Sequence, residues 1–167
     1  MSTGAAYWVE KLRLLKHVEG GYYREIYRSP VMVNKDNLPK GFRGNRNVCT
    51  AIYFLLEKTQ FSAFHRIASD EIWHFYSGDA LRIYEIQTDG TLTQHNLGKN
   101  AETGQRFQTV IKAGNWFASH VTNPEGYCLA GCTVSPGFDF EDFEIAEPKA
   151  LIQQFPQYAE LINRFSR

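Results

Sequence analysis

Between Phe64 and Gly78 the chain sets His65, Arg66, Asp70, Glu71 and His74 among aromatic and branched residues. From Glu71 onward the run alternates. Glu71, Trp73 and Phe75 share one side, and Ile72, His74 and Tyr76 the other, which is the period of a β-strand. Gly78-Asp79 ends it with a turn signal. A His and a Glu on a buried strand face cost on the order of several kcal/mol of desolvation unless paired or hydrated. The pattern therefore marks a cavity. His65 as base, with Glu71 or Asp70 orienting it and Tyr22 or Tyr76 as acid, would make a proton-transfer site. The competing reading is a buried ion pair that only ties two strands together. Such pairs stabilise poorly, which favours function.

Further candidates surround this run. Tyr22, Trp73 and Tyr76 could stack a sugar or a base, although rings are more often core. Arg24, Arg66 and Lys112 could hold a phosphate or carboxylate, and each taken singly reads as a surface residue. Pro136-Gly137-Phe138-Asp139-Phe140 mixes an acid with rings. Asp139 either reaches the pocket or sits in a surface turn. Catalytic zinc sites use three protein ligands, and non-haem iron sites two His and a carboxylate. His74 lies an odd number of residues past Glu71 and faces away. Cys128 and Cys132 share a face but stand roughly 13 Å apart along a strand, too far to share an ion. They read as small buried hydrophobes, and Cys49 has no visible partner. The sequence therefore predicts no metal and no cofactor.

The elements that would position these groups are mostly short strands. Residues 5–16 predict a helix, with Trp8, Leu12 and Leu15 on one face and Gly20-Gly21 as the stop. Tyr22 to Arg28 alternates as a strand. Residues 29–46 form a long irregular stretch. Strands follow over 48–56, 61–67, 71–76, 81–87, 91–96, 107–111, 116–121 and 126–134. Asp89-Gly90 marks a hairpin turn. The 61–67 and 71–76 strands read as a pair joined by Ala68-Ser69-Asp70. After Pro148 the chain reads as two short helices split by Pro156. Many short strands between turn signals predict a barrel or sandwich.

The spacing resembles the cupins. Their first motif places a His-x-His pair before a Glu that a Gly follows. His65, Glu71 and Gly78 match, and Ile67 stands where the second His belongs. Their second motif, Pro-x-Gly-x-x-His, aligns with Lys112-Ala113-Gly114-Asn115-Trp116-Phe117, so Phe117 replaces a metal ligand. His120, three residues further on, falls on the opposite face. The runs His17-Val18-Glu19-Gly20-Gly21-Tyr22-Tyr23-Arg24-Glu25, Ser69 to Gly78 and Ser135 to Phe140 resemble signatures of an uncharacterised cupin family. The resemblance implies an all-β, double-stranded β-helix (the cupin jelly-roll barrel), with helices flanking at the N- and C-terminal ends and one domain over 1–167. Cupin-superfamily epimerases that work without metal imply a proton-transfer role for the pocket. Catalytic His65, Glu71 and Tyr22, with ligand contacts from Arg24, Arg66, Trp73, Tyr76 and Asp139, are the expected set.

Composition narrows the function classes. Hydrophobic residues make up 43% and aromatics 14%, enough for a core and ring-lined interior. Acids and bases balance at a net charge of zero, without the basic excess of a nucleic-acid binder. No apolar run reaches the ~20 residues of a membrane span. Met1-Ser2-Thr3-Gly4 lacks the basic start and apolar core of a signal peptide. An odd cysteine count argues against a disulfide scaffold. These features predict a cytoplasmic protein. Near-zero charge and open sheet edges predict a homodimer. Its partner is a small polar or carbohydrate-like ligand, turned over by a metal-independent isomerase or epimerase, or alternatively held without turnover by a binding or sensor module.

Overall fold

The computed structural model describes residues 4–167, and Met1-Ser2-Thr3 lies outside the described residues. Helix α1 (Ala5–Lys11) opens the chain, followed by strand β1 (Leu15–Lys16) and β2 (Tyr22–Arg28). A small ladder of β3 (Met32–Val33) and β4 (Arg46–Asn47) comes next. Then run β5 (Thr50–Glu57), β6 (Phe61–Arg66), β7 (Asp70–Gly78), β8 (Leu81–Ile86) and β9 (Leu92–Leu97). After a polar connection come β10 (Gln108–Ile111), β11 (Trp116–Val121), β12 (Tyr127–Ser135) and β13 (Glu144–Ile145). Helices α2 (Pro148–Gln154) and α3 (Ala159–Arg164) close it.

Two antiparallel sheets face each other, ordered β1-β2-β5-β12-β7-β10 and β13-β6-β11-β8-β9. Alternation explains the core. Phe54, Trp73 and Cys132 point inward from the first sheet and meet Ile83, Phe117 and Val121 from the second. The outer face of the second sheet packs Phe64, Ile86 and Trp116 under α2 and α3, through Leu151, Phe155 and Ile162. Helix α1 covers only one end of the first sheet, where Leu55 and Leu129 meet Ala5 and Leu14. This is the jelly-roll barrel with flanking helices that the cupin resemblance implies, and it answers the barrel or sandwich that the strand pattern predicts. No helix among the described residues is long and apolar enough to cross a membrane.

Two local expectations change, and the irregular 29–46 stretch gains a definite place. The first helix stops at Lys11 rather than running to Lys16: Arg13 takes a positive φ of 52°, and Leu15 becomes a strand residue with 68% exposure. β6 and β7 do not pair. β6 lies between β11 and β13, and β7 between β12 and β10, so residues 67–69 carry the chain from one sheet to the other. A short connection suggested a hairpin, but the jelly roll uses it as a crossover. The 29–46 stretch is tied down. Arg46 is 3% exposed and bonds Asp142 twice and Glu141 once, fastening this strap to the segment after β12.

Candidate functional site

A cavity of about 240 Å³ lies between the sheets, with residues from the 138–143 segment in its lining. Its floor is acidic and imidazole-rich, its walls are apolar, and its roof is a cluster of phenylalanines.

The floor begins with His17 and Glu19, delivered by the turn between β1 and β2. Gly20 holds this turn at φ 121°, where a Cβ would come within 2.1 Å of the Phe61 carbonyl oxygen. The turn drives Glu19 into the barrel, 5% exposed, where Ser62 Oγ donates to its Oε1 at 2.9 Å. Glu19 Oε2 lies 3.1 Å from His65 Nε2 and 3.6 Å from His17 Nδ1. His65 Nδ1 is 2.7 Å from the Ala63 carbonyl oxygen, which can only accept, so Nδ1 carries a hydrogen. With that tautomer, a neutral His65 facing an ionised Glu19 would set lone pair against lone pair. The Glu19–His65 contact therefore holds one shared proton. Burial pushes Glu19 up, against the pull of His17 and Ser62, and pushes His65 down, against the Ala63 carbonyl and Glu71. His17 is also lowered by burial, with Glu19 opposing.

Glu71, on β7 in the opposite sheet, faces the same floor at 7% exposure. Burial pushes its carboxyl up to about 7, with His65 pulling down and Glu19 adding repulsion. The Cys132 thiol and Trp73 indole lie beside it and favour its charged form. Trp73 Nε1 nonetheless has no partner at hydrogen-bonding geometry, although Trp73 is only 1% exposed. A floor with one shared proton and a second carboxyl poised near neutrality can both take and give protons.

β2 supplies the rim, through a bulge. Tyr23 opposes Phe54 and Glu25 opposes Ile52, but Tyr27 opposes Ala51, so Ile26 is the extra residue and Arg28 comes to oppose Thr50. Tyr23, Glu25 and Arg28 thus all face the cavity. The roof stacks on the floor's imidazoles. Phe140 lies 6.3 Å from the His17 ring and Phe143 5.4 Å from the His65 ring, centroid to centroid.

Of the residues expected from sequence, His65, Glu71, Trp73 and Asp139 line this cavity. The other four do not. Tyr22 points outward and packs with Trp8 and Leu12 beneath α1. Arg24 donates to the Leu12 carbonyl at 3.0 Å on the outside. Tyr76 lies on the outer face, its ring 5.9 Å from Tyr53. Arg66 bonds Glu144 and covers the Trp116 ring at 4.4 Å, outside the barrel. The strand of residues 22–28 was expected, but its inward face is the one that begins at Tyr23. Asp70, the other expected orienter, bonds Lys112 Nζ at 2.7 Å outside the cavity. The pairing also differs. His65 bonds Glu19, not Glu71, because the turn between β1 and β2 packs directly on β6, where Ala63 N also donates to the Glu19 carbonyl at 2.9 Å. His17, Glu19, Tyr23, Glu25 and Arg28 were missed as site residues. A His-x-Glu pair directly before Gly-Gly was the available signal.

The four metal-ligand positions of the cupin motifs are occupied here by His65, Ile67, Glu71 and Phe117. Two are apolar, and the Phe117 ring lies 4.0 Å from the His65 ring. No group of three or more His, Cys, Asp or Glu among the described residues converges as a metal-binding set. The residues present do not fit the cupin metal.

Two packed antiparallel sheets enclosing an acid-lined interior define a barrel of the cupin class. The family described as cupin superfamily (DUF985) matches residues 6–146, and the chain belongs to it. It is 32% identical over 139 residues to the uncharacterized protein YML079W of Saccharomyces cerevisiae, covering 78% of this chain and 69% of that protein. A hypothetical protein from Leishmania major superposes with a TM-score of 0.90 at 33% identity, over 98% of this chain and 99% of that one. Protein SO0799 from Shewanella oneidensis does so with a TM-score of 0.88 at 38% identity, over 99% of both chains. Oxalate decarboxylase from Bacillus subtilis shares the fold alone, with a TM-score of 0.54 at 14% identity over 90% of this chain and 36% of that one.

Proposed function

We propose that the cavity binds a small polar, carbohydrate-like molecule and moves a proton on it, as a metal-independent isomerase or epimerase. The observation that carries this reading is the pair of proton-exchanging centres on one floor, the Glu19–His65 contact at 3.1 Å and Glu71 near neutrality. The cavity lies just below the ~300–1,000 Å³ usual for ligand sites, which suits a ligand of one ring. Glu71 as carboxylate takes a proton from a carbon next to a carbonyl. The C–H electron pair becomes a carbon–carbon double bond and the carbonyl π pair moves onto oxygen, where the unpartnered Trp73 N–H donates to it. The proton held by Glu19 and His65 returns to carbon from another side, and solvent exchange resets the two centres. Tyr22 and Tyr76 have no part, since both lie outside.

Native mass spectrometry of protein purified from its source names the ligand. Incubation of that ligand in heavy water should then place deuterium at the carbon next to its carbonyl. Glu71→Gln and His65→Ala should each slow this exchange by about 10²–10⁴-fold. Tight binding with no exchange in the wild type would leave a binding module and end the catalytic reading.

Association in pairs is part of the same proposal. Beyond α1 the first sheet leaves Ile72, Tyr76 and Val110 exposed on its outer face at 37%, 50% and 39%. A second copy laid on this face would cover them and the β10 edge. Light scattering at micromolar concentration should give twice the chain mass, and Ile72→Glu with Tyr76→Glu should halve it. A wild-type monomer refutes the pairing. Three unpaired cysteines suit a cytoplasmic setting.

A further inference from the structure

Among the described residues, Glu19, Glu25, Glu71 and Asp139 bring carboxyl groups to the cavity, and Arg28 brings the one guanidinium. That guanidinium is committed. Its Nε and Nη2 hold both oxygens of Glu25, at 3.0 and 2.7 Å. Its Nη1 donates to Asn47 Oδ1 at 2.9 Å and to the Phe138 carbonyl at 3.1 Å. An incoming carboxylate or phosphate would have to break a bidentate pair and then sit beside Asp139 and Glu71. His17 and His65 offer no counter-charge, because burial disfavours their charged forms.

The unfilled hydrogen-bonding groups point elsewhere. Trp73 Nε1 is a buried donor on the cavity wall without a partner, and it asks for an acceptor such as a carbonyl or hydroxyl oxygen. Glu71 and Asp139 are acceptors that ask for hydroxyl donors. Phe54, Phe138, Phe140 and Phe143 supply flat apolar walls for the C–H face of a ring. The pull on a cation is limited, because Glu25 is neutralised by Arg28, Glu19 shares a proton with His65 and burial keeps Glu71 near neutrality, which leaves Asp139 as the carboxylate a cation would meet.

We infer that the ligand is an uncharged, polyhydroxylated molecule of single-sugar size, and that sugar acids, sugar phosphates and sugar nucleotides are excluded. This rests on the binding reading above and narrows it to a charge class.

The test uses the full chain and matched probes on common rings: neutral aldohexoses and aldopentoses, the corresponding uronates and terminal phosphates, and the 2-amino-2-deoxy sugars. Calorimetry and thermal shift are read for each. At least one neutral sugar should bind, with its uronate and phosphate weaker by about tenfold or more. Asp139→Asn should narrow that gap. Trp73→Phe, which deletes the N–H and keeps a ring, should weaken the neutral sugar by about tenfold. An anionic probe bound as tightly as its neutral parent overturns the charge inference while leaving the cavity a binding site. An amino sugar bound about tenfold tighter than its parent overturns the uncharged assignment. No neutral sugar bound at tens of millimolar overturns the sugar class. The proton-transfer reading fails separately, if a bound sugar exchanges no hydrogen with heavy water.

Discussion

Arg46→Ala should destabilise the protein by about 3–5 kcal/mol, the range for breaking a buried ion pair from one side. The side chains of Arg46 and Asp142 are only 3% and 5% exposed, and Asp142 also accepts Arg43 N at 3.0 Å. Removing the guanidinium leaves that carboxylate, on a half-buried residue, with one backbone donor. For a chain of this size the loss corresponds to a drop of roughly 6–20 °C in melting temperature. The damage should be local at first. Asp142 belongs to the same short segment as Phe140 and Phe143, so the strap holds down the cavity roof. Hydrogen exchange in Arg46→Ala should rise over residues 136–146 before it rises in β5 or β12. The double change Arg46→Met with Asp142→Leu should recover most of the loss, since no charge is then stranded. A melting temperature within about 1 °C of wild type for Arg46→Ala would show that the pair neither holds the roof nor supports the fold. The pair also has a pH signature. The Asp142 carboxyl is lowered by its bonds to Arg46 and Arg43, which outweigh its burial. Its contribution is present above the ordinary Asp range near 3.8 and is lost as pH falls through the lowered value.

The barrel was readable from sequence because alternation survives wherever a strand has one face in the core. Glu71 and Trp73 share a face in the sequence and in the structure, and Trp116 to Val121 is a strand in both. Alternation fails where an extra residue enters. Ile26 bulges out of β2, and from that point the inward set jumps from odd to even numbers, Glu25 then Arg28. Nothing in Tyr22-Tyr23-Arg24-Glu25-Ile26-Tyr27-Arg28 announces the jump, and the wrong face of the strand gave Tyr22 and Arg24 as ligands. Pairing is less legible still. Ala68-Ser69-Asp70 is short enough for a hairpin, yet it joins strands in opposite sheets. His65 meets the distant Glu19 because the turn before β2 packs on β6, where Ala63 N donates to the Glu19 carbonyl at 2.9 Å. Periodicity over a few residues reports which way a side chain points, and contains no information about which distant segment it points toward.

Glu71→Gln should make the protein more stable at alkaline pH and leave it unchanged in acid. The Glu71 carboxyl sits at about 7 in the folded chain, against an ordinary 4.5. Below 4.5 both folded and unfolded chains carry the proton, and the group contributes nothing. Between 4.5 and 7 the unfolded chain ionises freely while the fold retains the proton, so stability falls as pH rises. Above 7 the folded protein pays the full cost of a buried carboxylate, on the order of 3 kcal/mol. A carboxamide of the same shape carries no charge at any pH and has no such cost. The difference in melting temperature between Glu71→Gln and wild type should therefore be several degrees at pH 8 and vanish by pH 4. The same substitution should slow deuterium exchange into ligand by about 10²–10⁴-fold, so gain of stability and loss of chemistry would come from one atom. His65→Ala gives the converse. His65 pulls the Glu71 carboxyl down, and without it the ionisation should move above 7, extending the proton-bound range of the fold. A Glu71→Gln protein whose melting temperature tracks wild type at every pH from 4 to 8 would mean that Glu71 reaches water freely. Glu71 could then be neither the proton store nor the base of this cavity.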